Sequence, residues 1–430
     1  MLTVIPASSI NRFDGQRRIL ILSWLTYTLA YTLRVNIAVV IPVLISQRGY
    51  SLTQMGLVTS LYFVTYMLGQ LINGYLGDRI GSKLLIVCGL TASALCNVGV
   101  ALSPTLAVTA LCWGLNGLAQ SMLWAPIMKT LSTWFARRQL ERVSFIMSMS
   151  MIFGYAISWG ATSILINRLN WQSAFYLPAG LGFLFVLALA FLFQSQPAEG
   201  EPADTLICET SRDLPGAARP EALSIREFFR LIQLPGLLLI VLLQGWIREG
   251  ISVWFPTILQ ESGKIAANSP VLILVIIPLV NFGGILLVRK INRHAKGDSI
   301  QTLLVIFSLA TGIALLLNIF LKQGFWIVLT SMVILLALTY GLTPILTSVI
   351  PFQYAQYRRV SLITGVLDFA IYSGAALSGI VSGLIADHFT WSGVMFLWLI
   401  AAVLGLILTA HRYIRNKGRR RHEQTIHNHS

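Results

Sequence analysis

Two arginines lie in otherwise apolar stretches of the chain, and each begins the same short pattern. Arg34 begins Arg-Val-Asn-Ile-Ala-Val-Val-Ile-Pro, and Arg248 begins Arg-Glu-Gly-Ile-Ser-Val-Trp-Phe-Pro. Arginine, isoleucine, valine and proline recur in step, with 34 matching 248 and 42 matching 256. A charge in the middle of a membrane-spanning helix costs at least about 2.5–3.5 kcal/mol, so its repetition indicates a function. Because a guanidinium offers planar, paired donors to a carboxylate or phosphate, we predict that both arginines bind one small anion in a polar cavity between two related halves.

Five further polar residues are predicted to line this cavity: Tyr31, Tyr62, Tyr66, Lys129 and Gln244. Tyr31 shares a helical face with Arg34, and Gln244 shares one with Arg248, because residues three or four apart lie on the same side of a helix. The other two tyrosines form a polar stripe inside a membrane helix, where hydroxyl groups need partners. Lys129 lies about five residues from a predicted helix end, so it either joins the site or extends to the membrane surface.

Two acids also fall inside the predicted helices. Asp368 lies on a helical face with Thr364 and Tyr372, and it is our candidate for the coupling residue, either as a proton carrier or as a fixed counter-ion. Glu249 follows Arg248 directly, but consecutive helical residues point about 100° apart, so we do not expect Glu249 in the site. The alternative to anion binding is that the arginines form structural ion pairs with these acids.

The composition is that of a polytopic membrane protein. Of 430 residues, 56% are hydrophobic and 11% are charged, which is far from the usage of soluble domains. The net charge of +15 comes from basic residues between apolar runs and at the C-terminus, where they meet anionic lipids, so nucleic acid is not an expected partner. The four cysteines have no metal-ligand spacing, and no P-loop, HExxH or nucleophile elbow occurs. We therefore expect that the protein binds no metal or cofactor and is not an enzyme.

Apolar runs of about 20 residues, the length of one membrane crossing, predict twelve helices. We divide the chain into an N-terminal six-helix bundle (1–194), a polar linker (195–230), a C-terminal six-helix bundle (231–413) and a basic tail (414–430). The predicted helices cover 19–46, 53–76, 83–103, 106–133, 142–168, 172–194, 235–260, 269–290, 300–321, 325–350, 359–387 and 391–412.

Lysine and arginine are concentrated in alternate loops, beginning with the segment before the first helix and ending with the C-terminal tail. Because basic loops remain in the cytoplasm, both termini and the linker are predicted to be cytoplasmic.

The loop between the second and third helices reads Gly74-Tyr-Leu-Gly-Asp78-Arg79-Ile-Gly81-Ser-Lys83. This loop resembles the signature loop of the major facilitator superfamily. The twelve predicted helices, the central linker and the duplicated halves are similar to that superfamily as well. The resemblance implies an all-α membrane protein with two six-helix pseudo-symmetric bundles. It also implies that the glycines of the loop allow close helix packing and that its acid and arginine form ion pairs.

Three stretches further resemble the organophosphate:phosphate antiporters of that superfamily: Tyr31-Thr-Leu-Arg34-Val-Asn36, Trp124-Ala-Pro126-Ile-Met-Lys129 and Trp246-Ile-Arg248-Glu-Gly250-Ile-Ser-Val-Trp254-Phe-Pro256. This resemblance implies that Arg34 and Arg248 bind the substrate phosphate. The chain departs from the family at Val35, where lysine is frequent, and in helix five, which lacks the family's histidine. The start of helix one also resembles the anion:cation symporters.

The resemblance implies a secondary active transporter of a small organic anion, of the organophosphate or sugar-acid type, that works by alternating access around Arg34 and Arg248. Phosphate or protons are the coupling ions that it suggests. Two alternatives stay open, namely a proton-coupled organic-acid symporter and a transporter-like sensor of an external anion. We expect a monomer in the inner membrane of a bacterium.

Overall fold

The computed structural model describes residues 7–195, 233–262, 269–321, 324–353 and 360–429, and all regular structure within these ranges is helical. Long apolar runs favour helices because a helix satisfies its own backbone hydrogen bonds in lipid. In chain order the helices are α1 (Ala7–Thr32), α2 (Asn36–Arg48), α3 (Leu52–Ile80), α4 (Ser82–Leu102), α5 (Leu106–Gln120), α6 (Trp124–Trp134), α7 (Arg137–Arg168), α8 (Ser173–Leu192), α9 (Leu234–Glu261), α10 (Ser269–His294), α11 (Ser299–Ile319), α12 (Phe325–Pro344), α13 (Ile350–Gln353) and α14 (Val360–His429), with a π-helical segment at Ile345–Val349.

Eleven helical stretches in the described part are long and apolar enough to cross a membrane. The last of these, Ile363–Gly418, covers most of the predicted helix 359–387 and all of the predicted helix 391–412, which meet at the non-helical residue Thr390 (φ 65°, ψ 176°). The prediction of an all-helical, multi-pass membrane protein is therefore confirmed. The predicted domain boundaries stay a prediction, and nearly all of the linker 195–230 lies outside the described residues.

Two helices that the sequence predicted as continuous are interrupted. The predicted helix 19–46 breaks between Thr32 and Asn36, and the predicted helix 106–133 breaks between Gln120 and Trp124. At the second break the backbone tightens to i→i+3 hydrogen bonds, including one of 3.2 Å from Met122 N to the Ala119 carbonyl. Hydropathy averaged over the length of a membrane crossing does not reveal these breaks, because apolar residues predominate on both sides of each one.

By its internal contacts the chain forms two compact units, Met1–Val40 with Thr65–Arg219 and Ile41–Val64 with Pro220–Ser430. In the first unit, Trp113 and Trp171 contact Phe175 edge-on, with ring centroids 6.2 and 6.1 Å apart. The second unit has an apolar core contributed mainly by α9, α11, α12 and α14, and Phe307 is one of its fully buried side chains. Each unit contains one of the two arginines.

Glycines bring α9 and α14 close together within the second unit. A Cβ atom on Gly245 would collide with the backbone carbonyl of Ile371, and one on Gly374 would collide with that of Leu242. Small residues permit this approach of two backbones inside a membrane. The contact fixes the position of α9 against α14 about one turn before Arg248.

A carboxylate from α14 caps the start of α3, and both segments belong to the second unit. Asp387 Oδ1 accepts a hydrogen bond from the Leu52 amide (3.1 Å), while Oδ2 accepts from the Thr53 amide (2.8 Å) and hydroxyl (2.5 Å). The first amides of a helix have no partner within the helix and form the positive end of its dipole. One turn further, α3 and α14 are in direct contact, because a Cβ atom on Gly56 would lie 2.5 Å from the Gly379 carbonyl oxygen.

Substituting Asp387→Asn should loosen the start of α3, since an amide replaces a charge that accepts three hydrogen bonds. The amide keeps one acceptor oxygen, and the lost charge at the start of the helix is worth about 0.3–1 kcal/mol, so hydrogen-exchange protection of the amides at 52 and 53 should fall about 2- to 5-fold. The matched control is Asp298→Asn, because Asp298 caps α11 through the amides of Ile300 and Gln301 (3.0 and 3.1 Å). Unchanged exchange at 52 and 53 in Asp387→Asn would contradict the capping role.

Candidate functional site

Arg34 lies in the break between α1 and α2 and not, as predicted, inside a continuous helix. The turn that carries it has short-range hydrogen bonds, from Arg34 N to the Tyr31 carbonyl (3.1 Å) and from Leu33 N to the Ala30 carbonyl (3.2 Å). Its side chain is buried, with 8% of the residue exposed. The first arginine of the repeated pattern is thus held by backbone geometry that an ordinary helix does not provide.

Side-chain amides satisfy the backbone groups that this break releases. The Leu33 carbonyl accepts from Asn97 Nδ2 (3.0 Å) and from Asn116 Nδ2 (2.9 Å), which come from α4 and α5. Gln120 Nε2 donates to the Ala30 carbonyl (3.0 Å), and Trp159 Nε1 donates to the Val35 carbonyl (3.2 Å). Because a buried backbone group without a partner costs free energy, these donors stabilise the broken helix directly beside Arg34.

Asn36 completes this amide network on the other side of the break. Its Nδ2 donates to Asn97 Oδ1 and to the Ala174 carbonyl, both at 3.0 Å, and its Oδ1 accepts from the Ile37 amide at 3.1 Å. Asn36, Asn97 and Asn116 are all fully buried. A satisfied buried network of this kind makes the position of the turn rigid.

Aromatic rings surround the Arg34 guanidinium. Its central carbon lies 4.8 Å from the ring centroid of Tyr66 and 5.3 Å from that of Tyr31, within the range of cation–π attraction. Tyr31 in turn contacts Tyr27 and Tyr155, with both centroid distances 5.3 Å. The structure therefore brings together Arg34, Tyr31 and Tyr66 as the sequence predicted, and it adds Tyr155, which the sequence analysis missed.

The second arginine, Arg248 on α9, is engaged by a carboxylate and a hydroxyl. Its Nε and Nη2 donate to Glu249 Oε1 at 3.0 and 2.6 Å, and its Nη1 donates to Thr343 Oγ1 at 2.9 Å. Arg248 thus forms the ion pair that the sequence analysis gave as the alternative to anion binding, whereas the expectation that Glu249 would point away from Arg248 was wrong. The helical angle between consecutive residues applies to Cβ directions, whereas the long arginine side chain curves back far enough to meet its neighbour.

Gln244 lies one turn before Arg248 and reaches the same part of α12. Its Nε2 donates to the Thr339 carbonyl at 2.8 Å and to Thr343 Oγ1 at 3.5 Å, and the side chain is fully buried. The ring centroid of Tyr340 lies 5.3 Å from the Arg248 guanidinium carbon. Gln244 and Arg248 thus share a face, as their spacing predicted.

The remaining predicted site residues lie in different settings. Tyr62 is buried and packs edge-on against Phe63 at 5.5 Å, whereas the side chain of Lys129 is exposed on α6. Asp368 is half-buried on α14 and interacts electrostatically with Arg248. The roles of Tyr62 and Lys129 in binding, and of Asp368 in coupling, stay predictions.

The structure describes only part of the predicted signature loop. Gly81 has a positive φ of 85°, which suits glycine, and Lys83 Nζ donates to the Ala190 carbonyl at 2.6 Å. The side chains of residues 74–79, including those of Asp78 and Arg79, lie outside the described part, so their predicted ion pairs stay a prediction.

Comparison with known families agrees with this architecture. Residues 23–378 match the family described as Major Facilitator Superfamily. The chain belongs to the Major Facilitator Superfamily. It is accordingly a multi-pass member of a transporter family and not an enzyme.

Several relatives of this superfamily member have names that refer to phosphorylated substrates. It is 22% identical to a probable hexose phosphate transport protein of Chlamydia trachomatis, over 91% of this chain and 89% of that protein. It is 23% identical to a glycerol-3-phosphate transporter of Bacillus subtilis, over 96% and 98%. It is 31% identical to a phosphoglycerate transporter protein of Salmonella typhimurium over 46% and 44%.

Solved structures of the superfamily show the same fold. A bacterial homolog of the human lysosomal transporter Spinster superposes with a TM-score of 0.70 at 14% identity, over 93% of this chain and 96% of that one. The nucleoside transporter NupG superposes with a TM-score of 0.67 at 16% identity, over 93% and 98%. At such low identities the match identifies the fold alone.

Proposed function

We propose that this chain is a secondary transporter of an organophosphate anion and that Arg34 supplies its main phosphate-binding group. The observation that carries the proposal is a buried guanidinium, held at a helix break and lying beside two tyrosine rings. A guanidinium presents planar pairs of N–H donors, and such pairs bind phosphate oxygens. The turn is fixed by the amide network, so substrate binding need not order it first.

The relatives support an organophosphate as the class of substrate. Hexose phosphates, phosphoglycerate and glycerol 3-phosphate occur in the names of proteins that match along much of the chain or along half of it. These substrates share a phosphate monoester and differ in the rest of the molecule. The proposal is therefore specific for the phosphate group and leaves the organic part to experiment.

The proposal includes exchange against inorganic phosphate, by alternating access, in the inner membrane of a bacterium with both termini in the cytoplasm. The orientation rests on the distribution of lysine and arginine among the loops. Proton-coupled uptake is the alternative form of coupling, with Asp368 as its candidate residue. That Arg248 binds the same anion as Arg34 is part of the proposal and rests on the repeated sequence pattern.

Exchange in proteoliposomes tests the proposal. The purified protein is reconstituted, the vesicles are loaded with radiolabelled inorganic phosphate, and efflux is measured on adding glycerol 3-phosphate, 3-phosphoglycerate or glucose 6-phosphate outside. At least one of these compounds should accelerate efflux in a saturable manner. Glycerol and glucose should have no effect, because they lack the anionic group.

The other outcomes separate the alternatives. Uptake that requires an imposed pH gradient, and no internal phosphate, would replace exchange by proton symport. Saturable binding without flux would identify an anion sensor. A response to neutral sugars alone would overturn the anion proposal. A control variant for the loss of one positive charge is Arg168→Gln, at the exposed end of α7. This variant should leave exchange unchanged.

A further inference from the structure

The Arg248 guanidinium donates hydrogen bonds to two side chains. One edge, Nε and Nη2, points at a single oxygen of Glu249, at 3.0 and 2.6 Å, and the remaining nitrogen donates to Thr343 at 2.9 Å. The two charged side chains are only 5% and 6% exposed. The Nε–Nη2 edge is one of the paired-donor edges that would bind a phosphate or carboxylate. Glu249 therefore occupies the position that an anionic ligand of Arg248 would take.

The charge of this pair bears on which anions Arg248 can bind. Arg248 carries one positive charge and Glu249 one negative charge, so the pair is neutral. A second negative charge on the substrate would therefore be desolvated without a compensating positive charge at Arg248. Without the Glu249 charge, Arg248 would attract a doubly charged anion about twice as strongly as a singly charged one at the same distance.

We propose that Glu249 is a specificity-determining residue that acts as an internal counter-ion of Arg248 and favours singly charged over doubly charged anions. The substrate anion competes with the Glu249 carboxylate for the Nε–Nη2 edge. This role of Glu249 rests on the proposed organophosphate function. It adds that the phosphate monoester is accepted in its singly protonated form. Arg248 then contributes paired hydrogen bonds to the anion without adding net positive charge.

A pair of probes with the same shape and different charge tests this directly. Glucose 6-sulfate is a monoanion, whereas glucose 6-phosphate at pH 8 is largely a dianion, because the second pKa of a phosphate monoester is about 6. Inhibition of labelled phosphate exchange is measured at pH 8 for both compounds. In the unmodified protein the sulfate ester should inhibit at a lower concentration than the phosphate ester.

Substituting Glu249→Gln should shift the ratio of the two inhibition constants toward the phosphate ester at least tenfold, which corresponds to about 1.4 kcal/mol. Glutamine keeps the size of the side chain and one hydrogen-bond acceptor for Arg248, so the fold should be retained. Glu249→Asp keeps the charge and should keep the unmodified ratio. Because the readout is a ratio, a general loss of activity or stability does not produce it.

The matched control is Glu261→Gln, on the same helix and also losing one negative charge. Glu261 is exposed and accepts a hydrogen bond from Trp391 Nε1 at 2.6 Å, and this substitution should leave the ratio unchanged. An equal shift in both variants would show a diffuse charge effect and overturn the proposal, as would an unshifted ratio in Glu249→Gln. If no phosphate exchange occurs and neither ester binds in thermal-shift titrations, the proposed organophosphate function itself fails.

Discussion

Replacing Arg34 by glutamine is expected to abolish organophosphate exchange, and replacing it by lysine is expected to weaken the apparent substrate affinity at least about tenfold. Glutamine removes the buried charge that binds the phosphate, a loss of about 2–5 kcal/mol, or a factor of about 30 to several thousand. Lysine keeps the charge but lacks the planar pair of donors and stacks less well on Tyr31 and Tyr66. The measurement is the concentration dependence of exchange in proteoliposomes.

Arg48→Gln provides the control for this prediction, because Arg48 is exposed in the last turn of α2, the helix that follows Arg34. It should retain exchange within about twofold of the unmodified protein, as surface substitutions usually have small effects. The melting temperature of each variant, measured in the same detergent, shows whether a loss of exchange is a loss of folding. Normal exchange in a folded Arg34→Gln protein would remove Arg34 from the proposed site.

Most of the fold could be predicted because membrane-spanning helices are encoded in the length and hydropathy of single segments. The two helix breaks could not, because they depend on contacts between segments. At Leu33 the carbonyl bonds to Asn97 and Asn116 instead of to a following turn. The residues near Leu33 in the sequence do not indicate which side chains donate to its carbonyl.

A signal for the amide network was nevertheless present. Asn116 and Gln120 are one turn apart in an apolar run, and Asn97 interrupts another such run. Side-chain amides inside a membrane need partners, so these residues indicated a buried polar contact, although not where it lies. The same reasoning placed Tyr66 in the predicted polar cavity, and the centroid of its ring lies 4.8 Å from the Arg34 guanidinium carbon.

The ion pair between Arg248 and Glu249 could not be predicted from helical geometry alone. Neighbours at i and i+1 on a helix do not face each other. On this ground the sequence analysis did not expect Glu249 in the anion site, although it kept a structural ion pair with Glu249 or Asp368 as the alternative. The rule describes short side chains well. It fails for an arginine that is buried beside an acid, because two desolvated charges gain much more from meeting than two exposed ones.

Removing the two amides that converge on Leu33 is expected to damage the site more than the sum of the single changes. In Asn97→Leu or Asn116→Leu the Leu33 carbonyl keeps one donor. Each variant also removes an acceptor, for Asn36 Nδ2 at Asn97 and for the Ser93 hydroxyl at Asn116, so each protein should lose about 1–3 kcal/mol. In the double variant the buried carbonyl has neither donor, which adds about 1–3 kcal/mol of desolvation cost and frees the turn that carries Arg34. The melting temperature should fall in a non-additive way, and the apparent affinity for the substrate should weaken about tenfold.

Asn318→Leu separates this effect from a general loss of stability. Asn318 Nδ2 donates to the carbonyls of Ala314 (2.8 Å) and Met395 (3.1 Å) in the second unit, so its replacement also removes a membrane-embedded amide that bonds to backbone. It should lower the melting temperature to a similar extent as the single variants while the substrate affinity stays unchanged, because it does not touch the turn at Arg34. If the double variant melts lower but binds the substrate normally, the amide network stabilises the helices without positioning the arginine. Strictly additive melting temperatures would show that the two amides do not substitute for each other at the Leu33 carbonyl.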